Sequence, residues 1–112
     1  MIGRKHDIIT IGRSSIDLYS QNIGAPFNDI KGFDAFVGGS PLNIAVGCSR
    51  LGLNASLLTA VGNDKIGEFI VNFLNNEGVS THCIPTKNLS RSSAVVLGIE
   101  PPDKFPLVYY FR

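Results

Sequence analysis

Gly38–Gly62 reads G-G-S-P-L-N-I-A-V-G-C-S-R-L-G-L-N-A-S-L-L-T-A-V-G, and the rest of the chain is arranged around it. Two glycines open the stretch, where backbone can approach a ligand or take angles closed to other residues. Ser40 suits an N-cap, and Pro41 suits the first helical turn, where its missing N–H costs nothing. The spacing predicts a short helix with Leu42, Ala45, Val46 and Cys48 facing inward, stopped by Gly52 after Leu51. Ala55–Val61 then reads as a buried strand closed by Gly62. A Gly-Gly loop feeding a helix N-terminus gathers unpaired N–H groups at one point, which suits anionic or hydroxyl-rich ligands. Asn43, in the first turn, adds a neutral donor and acceptor. On spacing alone, an ordinary loop-to-helix junction fits these residues equally well.

Toward the N-terminus, Asp7–Gly12 (D-I-I-T-I-G) is a nearly continuous apolar run ended by glycine, the pattern of a central parallel strand covered on both faces. Arg13-Ser14-Ser15-Ile16-Asp17 follows at once. Ligands of open parallel sheets collect beyond the carboxyl ends of the strands, so Asp17 stands where a functional carboxylate belongs. A solvated turn aspartate fits the same position. Asn22–Lys31, rich in Gly, Pro, Asn and Asp, reads as a loop, and Gly32–Val37 as a short strand leading into Gly38.

Toward the C-terminus, Ile66, Phe69, Ile70, Phe73 and Leu74 recur at helical spacing and form one apolar face. Asp64 is the expected N-cap and Gly78 the expected stop. Val79–Pro85 reads as another strand, giving strand–helix–strand–helix–strand, the layout of a doubly wound α/β sheet. Ser92–Ile99, a turn at Glu100–Lys104 and Pro106–Arg112 read as a hairpin in a second layer. Alternation in its last strand places Leu107, Tyr109 and Phe111 on one face and Val108, Tyr110 and Arg112 on the other. A phenol and a planar guanidinium fork two residues apart suit a carboxylate or a polyol, although a solvated strand face has the same pattern. The chain stops at L-V-Y-Y-F-R inside this strand, so a longer protein is expected, of which this is the first part.

The 112 residues are 44% hydrophobic and 17% charged, as in globular rather than disordered chains. A net charge of +1 gives no basic footprint for nucleic acid or a membrane surface. Cys48 and Cys83 show no metal-ligand spacing and read as reduced thiols. His6 and His82 are isolated and read as structural. With no signal-peptide h-region and no apolar run of ~20 residues, a cytoplasmic protein is expected. The one G-x-x-x-x-G stretch, Gly62–Gly67, is followed by Glu68-Phe69 where a phosphate-binding loop needs Lys and Ser or Thr. The first βα turn, I-G-R-S-S, has one glycine and is no dinucleotide fingerprint.

Gly38-Gly39, Asn43, Ala45, Gly52 and Gly62 fall at the spacing of the first signature of the ribokinase-like (phosphofructokinase B-type) carbohydrate kinases. The whole chain resembles the N-terminal third of that family. The segments I-G-R-S-S-I-D-L, F-V-G-G-S-P-L-N and P-L-V-Y-Y-F-R look closest to members acting on deoxy-keto-gluconates, including the one in inositol catabolism. The resemblance implies an α/β sandwich with a small β-sheet lid over the sugar, its strands at roughly 17–20, 33–37, 93–99 and 107–112. It implies an ATP- and Mg²⁺-dependent kinase acting on a sugar or sugar-acid hydroxyl, and a possible homodimer through the lid.

Residue by residue, the resemblance gives Asp17 the grip on sugar hydroxyls. Gly38 and Gly39 match the backbone lying against the sugar, and Asn43 matches the asparagine that hydrogen-bonds it. Tyr110 and Arg112 match the tyrosine and arginine on the acid end. Ribose kinases carry Asn where Ser15 stands and Lys where Ser40 stands, which speaks against ribose. Sugar-acid kinases usually read Tyr-Tyr-Arg, and Phe111 here takes the second tyrosine, leaving the particular acid open. The family's catalytic aspartate, in a G-A-G-D loop, and its ATP site have no counterpart in these 112 residues, so this chain alone is expected to be inactive. A non-catalytic sugar-acid binding or regulatory protein on the same fold is the alternative.

Overall fold

The computed structural model describes residues 5–111. Two layers emerge from the order of elements. In the first, β1 (Ile8–Ile11) lies parallel to β4 (Ala55–Leu58), with Ile8 opposite Ala55 and Thr10 opposite Leu57. The chain between them contains β2 (Ser15–Ser20), β3 (Phe33–Gly38) and α1 (Ser40–Arg50). Helix α1 buries Leu42, Ala45 and Val46 against Ala55 and Leu57 of β4. Cys48 packs at the margin of the same core. Then come β5 (Val61–Gly62), α2 (Lys65–Asn76) and β6 (Thr86–Lys87), with β5 and β6 parallel. Ile70 and Leu74 of α2, whose C-terminal end is tied to α1 by the Ser49 and Arg50 contacts to Glu77, complete the core. Leu42, Leu57, Ile70 and Leu74 are completely buried, and each contributes about 1.5–3 kcal/mol relative to exposure. That burial fixes where α1 begins, which matters for the site.

The second layer is a four-stranded sheet ordered β3-β2-β7-β8, in which β7 spans Ser93–Leu97 and β8 spans Leu107–Tyr110. β2 pairs antiparallel with β3 and parallel with β7, and β7 pairs antiparallel with β8. Three connections tie it to the first layer. The Ser14 and Thr59 hydroxyls meet at 3.1 Å, joining the start of β2 to the segment after β4. Gly38-Gly39 leads straight from β3 into α1. Asp64, the N-cap of α2, accepts hydrogen bonds from the Gly67 N–H (2.8 Å), the Ser92 N–H (2.9 Å) and the Ser92 hydroxyl (2.8 Å). Ser92 immediately precedes β7, so one carboxylate caps a helix and anchors a strand of the other layer.

Several sequence expectations shift. Gly39, not Ser40, is the N-cap of α1, and no side chain caps that end. Ala55–Val61 is two strands, broken at Thr59-Ala60. Val79–Pro85 is not a strand. Only Ser80 bridges to Ser56, the Ile84 N–H bonds back to the Thr81 carbonyl in a turn, and Pro85 has no N–H to donate. Pairing resumes at Thr86. The hairpin strands are shorter than expected, and Arg112 lies outside the described residues. No helix among the described residues is long and apolar enough to cross a membrane.

Candidate functional site

Strand alternation and register decide which side chains share a face. Asp17 lies opposite Phe36 on β3 and Val95 on β7, and Val95 lies opposite Tyr109 on β8. Ser15, Asp17 and Tyr19 therefore share a face with Val95, Leu97, Leu107 and Tyr109. This face bounds a cleft of about 330 Å³, whose other wall is Arg13, Gly39, Ser40 and Asn43. The cleft thus lies between the second sheet and the N-terminus of α1, beyond the carboxyl end of β1, where open parallel sheets bind ligands.

Asp17 is the chemical centre. Its Oδ1 accepts a hydrogen bond from the Ser15 hydroxyl (2.6 Å), and its Oδ2 accepts one from the Tyr19 hydroxyl (3.3 Å). A carboxylate has about four acceptor sites, so two bonds fix its orientation and leave capacity for ligand hydroxyls. Burial first, and then the Asp17 charge and hydrogen bond, push the Tyr19 phenol above its ordinary value. Tyr19 therefore remains a donor to Asp17, and its ring packs against Phe36 at 5.2 Å between centroids.

The glycine pair has a steric explanation. A Cβ on Gly38 would lie within 2.5 Å of both Asp17 carboxylate oxygens. A Cβ on Gly39 would collide with the Arg13 carbonyl oxygen, and Gly39 has φ 106, which side chains disfavour. The Gly39 carbonyl then accepts the Asn43 N–H (2.9 Å), starting α1 with the exposed Asn43 side chain on the cleft.

Of the residues expected from sequence, Asp17, Gly39 and Asn43 line one cleft, and Gly38 sits against the Asp17 carboxylate. β8 presents Tyr109 to the cleft and Tyr110 to the opposite face, where Tyr110 pairs with Ala94. Phe111, with φ 52, ends the alternation just after β8. Arg13, Tyr19 and Tyr109 were not singled out by sequence, and Ser15 only as the residue standing where ribose kinases carry Asn. The alternation of Ser15 and Tyr19 with Asp17 was the available signal.

The amides at both ends of the Gly62–Gly67 stretch are already engaged. In the Gly62–Gly67 loop the Gly62 N–H bonds to the Ser92 hydroxyl and the Gly67 N–H to Asp64. A carboxylate thus occupies the place a phosphate would need. Among the described residues no group of three or more His, Cys, Asp and Glu could hold a metal ion.

A family model described as pfkB family carbohydrate kinase matches residues 5–101. The chain belongs to this family. It is 38% identical over 108 residues to the 5-dehydro-2-deoxygluconokinase of Clostridium beijerinckii, covering 96% of this chain and 32% of that protein. It is 45% identical over 105 residues to the 5-dehydro-2-deoxygluconokinase of Clostridium tetani, covering 93% and 31%. An uncharacterized sugar kinase from Pyrococcus horikoshii, crystallised in complex with ATP, superposes with a TM-score of 0.85 at 34% identity, covering 92% of this chain and 33% of that one. The architecture of this pfkB-family chain is therefore the ribokinase-like α/β fold. The chain spans about a third of the length of the curated relatives it matches.

Proposed function

We propose that this chain is the sugar-recognition part of an ATP- and Mg²⁺-dependent kinase that phosphorylates a hydroxyl of a deoxy-keto-gluconate, with 5-dehydro-2-deoxygluconate as the first candidate. The observation that carries the proposal is Asp17, oriented by Ser15 and Tyr19, facing a cleft whose opposite wall is the Gly39–Asn43 helix start. The names of the relatives supply the substrate class.

In this proposal Asp17 accepts two sugar hydroxyls, Asn43 adds a donor and acceptor, and Gly38-Gly39 lets the sugar lie against backbone. The second sheet acts as the lid. Its apolar residues Val95, Leu97 and Leu107 exclude water when it closes, strengthening the polar contacts beneath. ATP supplies the transferable phosphoryl group when bound, in a part of the protein beyond the residues described. Tyr110 lies on the outer face of the lid, the surface we assign to a homodimer contact, and Arg112 retains its acid-end role through resemblance alone. The protein works in the cytoplasm on this proposal.

The test is the complete protein with ATP and Mg²⁺ against 5-dehydro-2-deoxygluconate, 2-dehydro-3-deoxygluconate, fructose and ribose. The highest kcat/KM is expected for the first. Absence of phosphorylation of either sugar acid overturns the proposal, and binding without phosphorylation identifies the non-catalytic alternative.

A further inference from the structure

The cleft carries two charged side chains, Asp17 and Arg13, and the mechanism above uses only Asp17. Arg13 is exposed, and no carboxylate among the described residues pairs with it. Arg50, by contrast, lines a separate hollow beneath β3 and is held by Glu77 at 2.7 Å. A guanidinium on a ligand cleft with no partner among the described residues is open to an anion, and its planar fork matches a carboxylate.

Electrostatics also orders the ligand. Asp17 repels a substrate carboxylate and attracts hydroxyls, so the acid end of a bound sugar acid must point away from it. Four residues of chain place the Cα atoms of Arg13 and Asp17 at most about 14 Å apart. Both side chains border the same cleft, so one small acid can reach both.

We infer that Arg13 receives the carboxylate of the substrate and makes this cleft selective for sugar acids over neutral sugars. The inference rests on the sugar-acid proposal above and deepens it by naming a reader of the acid on the cleft in addition to Arg112. Arg13 follows Gly12, the residue through which the chain leaves the first layer, and the Arg13 carbonyl faces the Gly39 turn. The Gly12 N–H bonds to the Leu58 carbonyl at 3.1 Å.

Binding calorimetry on the complete protein, using 5-dehydro-2-deoxygluconate and its primary amide, tests this. Wild type should prefer the acid, and Arg13→Gln should reduce that preference by ~10–100-fold, the range of one charge-assisted hydrogen bond. Arg13→Lys keeps the charge without the fork and should recover only part of the preference. Raising the salt concentration should weaken acid binding in wild type and have little effect in Arg13→Gln. An unchanged acid-to-amide ratio in Arg13→Gln overturns the inference while leaving the sugar-acid proposal intact. So does a raised KM for ATP with that ratio preserved, which would move Arg13 to the nucleotide phosphates. Failure of wild type to bind the acid overturns both.

Discussion

Replacing Gly38 with alanine tests how the cleft is assembled, because the added Cβ meets the Asp17 carboxylate. Gly38 is the last residue of β3, and its φ is not in the left-handed region, so alanine meets no backbone strain there. The conflict is with Asp17, whose two carboxylate oxygens would lie within 2.5 Å of the new Cβ. Ordinary contact begins near 3.4 Å, so the carboxylate must retreat by about 1 Å. That movement breaks the 2.6 Å bond from Ser15 and takes the carboxylate out of line with a bound hydroxyl. A hydrogen bond with one charged partner is worth about 1.5–3 kcal/mol, which corresponds to a ~10–100-fold rise in sugar KM. Steady-state kinetics of the complete protein should show that rise, with the KM for ATP changed less than about twofold. The double variant Gly38→Ala/Asp17→Asn should be no worse than Asp17→Asn alone, because both changes remove the same contact. Fully additive losses, or an unchanged sugar KM in Gly38→Ala, would refute this steric coupling.

Two other variants probe the lid and its anchor. Tyr109→Phe should raise sugar KM by ~2–10-fold, the range of one neutral hydrogen bond, while Tyr110→Phe should stay within about twofold; the reverse order would mean β8 turns its other face to the bound sugar. Asp64→Ala removes a helix cap and the tie to β7, and should cost about 0.5–2 kcal/mol in urea unfolding at pH 7. The Asp64 carboxyl is held below the ordinary aspartate value of 3.8 chiefly by the Ser92 N–H, with the Gly67 N–H and Ser92 hydroxyl adding to it and burial opposing. A depressed folded-state pKa means its stabilisation is complete above 3.8 and is lost as the pH falls through the lower folded value. The gap between wild type and Asp64→Ala should therefore narrow below about pH 3.8, and a gap independent of pH would contradict the assignment.

Local signals made most of the first layer legible in the sequence. The Asp64 cap and Gly78 stop of α2 are encoded within fifteen residues and appear where capping places them. Phe69 of its apolar stripe is exposed, whereas Ile70 and Leu74 of the same stripe are buried as periodicity places them. Leu42, Ala45 and Val46 are buried for the same reason. The losses are non-local. Val79–Pro85 has strand-like composition, but Pro85 cannot donate to a ladder and the turn at Thr81 leaves only Ser80 to pair. Alternation along β8 separates Tyr109 from Tyr110, but register against β7, set by Val95 and Ala94, decides which of them meets the cleft. Arg13 was visible as a letter in I-G-R-S-S. Its position on the cleft depends on the Gly39 turn packing against its carbonyl, a contact between residues 26 apart in sequence.

The central claim is that Asp17 holds the sugar, and the most direct measurement is sugar KM in Asp17→Asn of the complete protein. Asparagine preserves the shape and removes the charge, while the Ser15 and Tyr19 hydroxyls lose an ionised acceptor. The account predicts a ~10–100-fold rise in sugar KM with the KM for ATP nearly unchanged. A sugar KM equal to that of wild type would contradict it, because every other assignment in the cleft is built outward from that carboxylate.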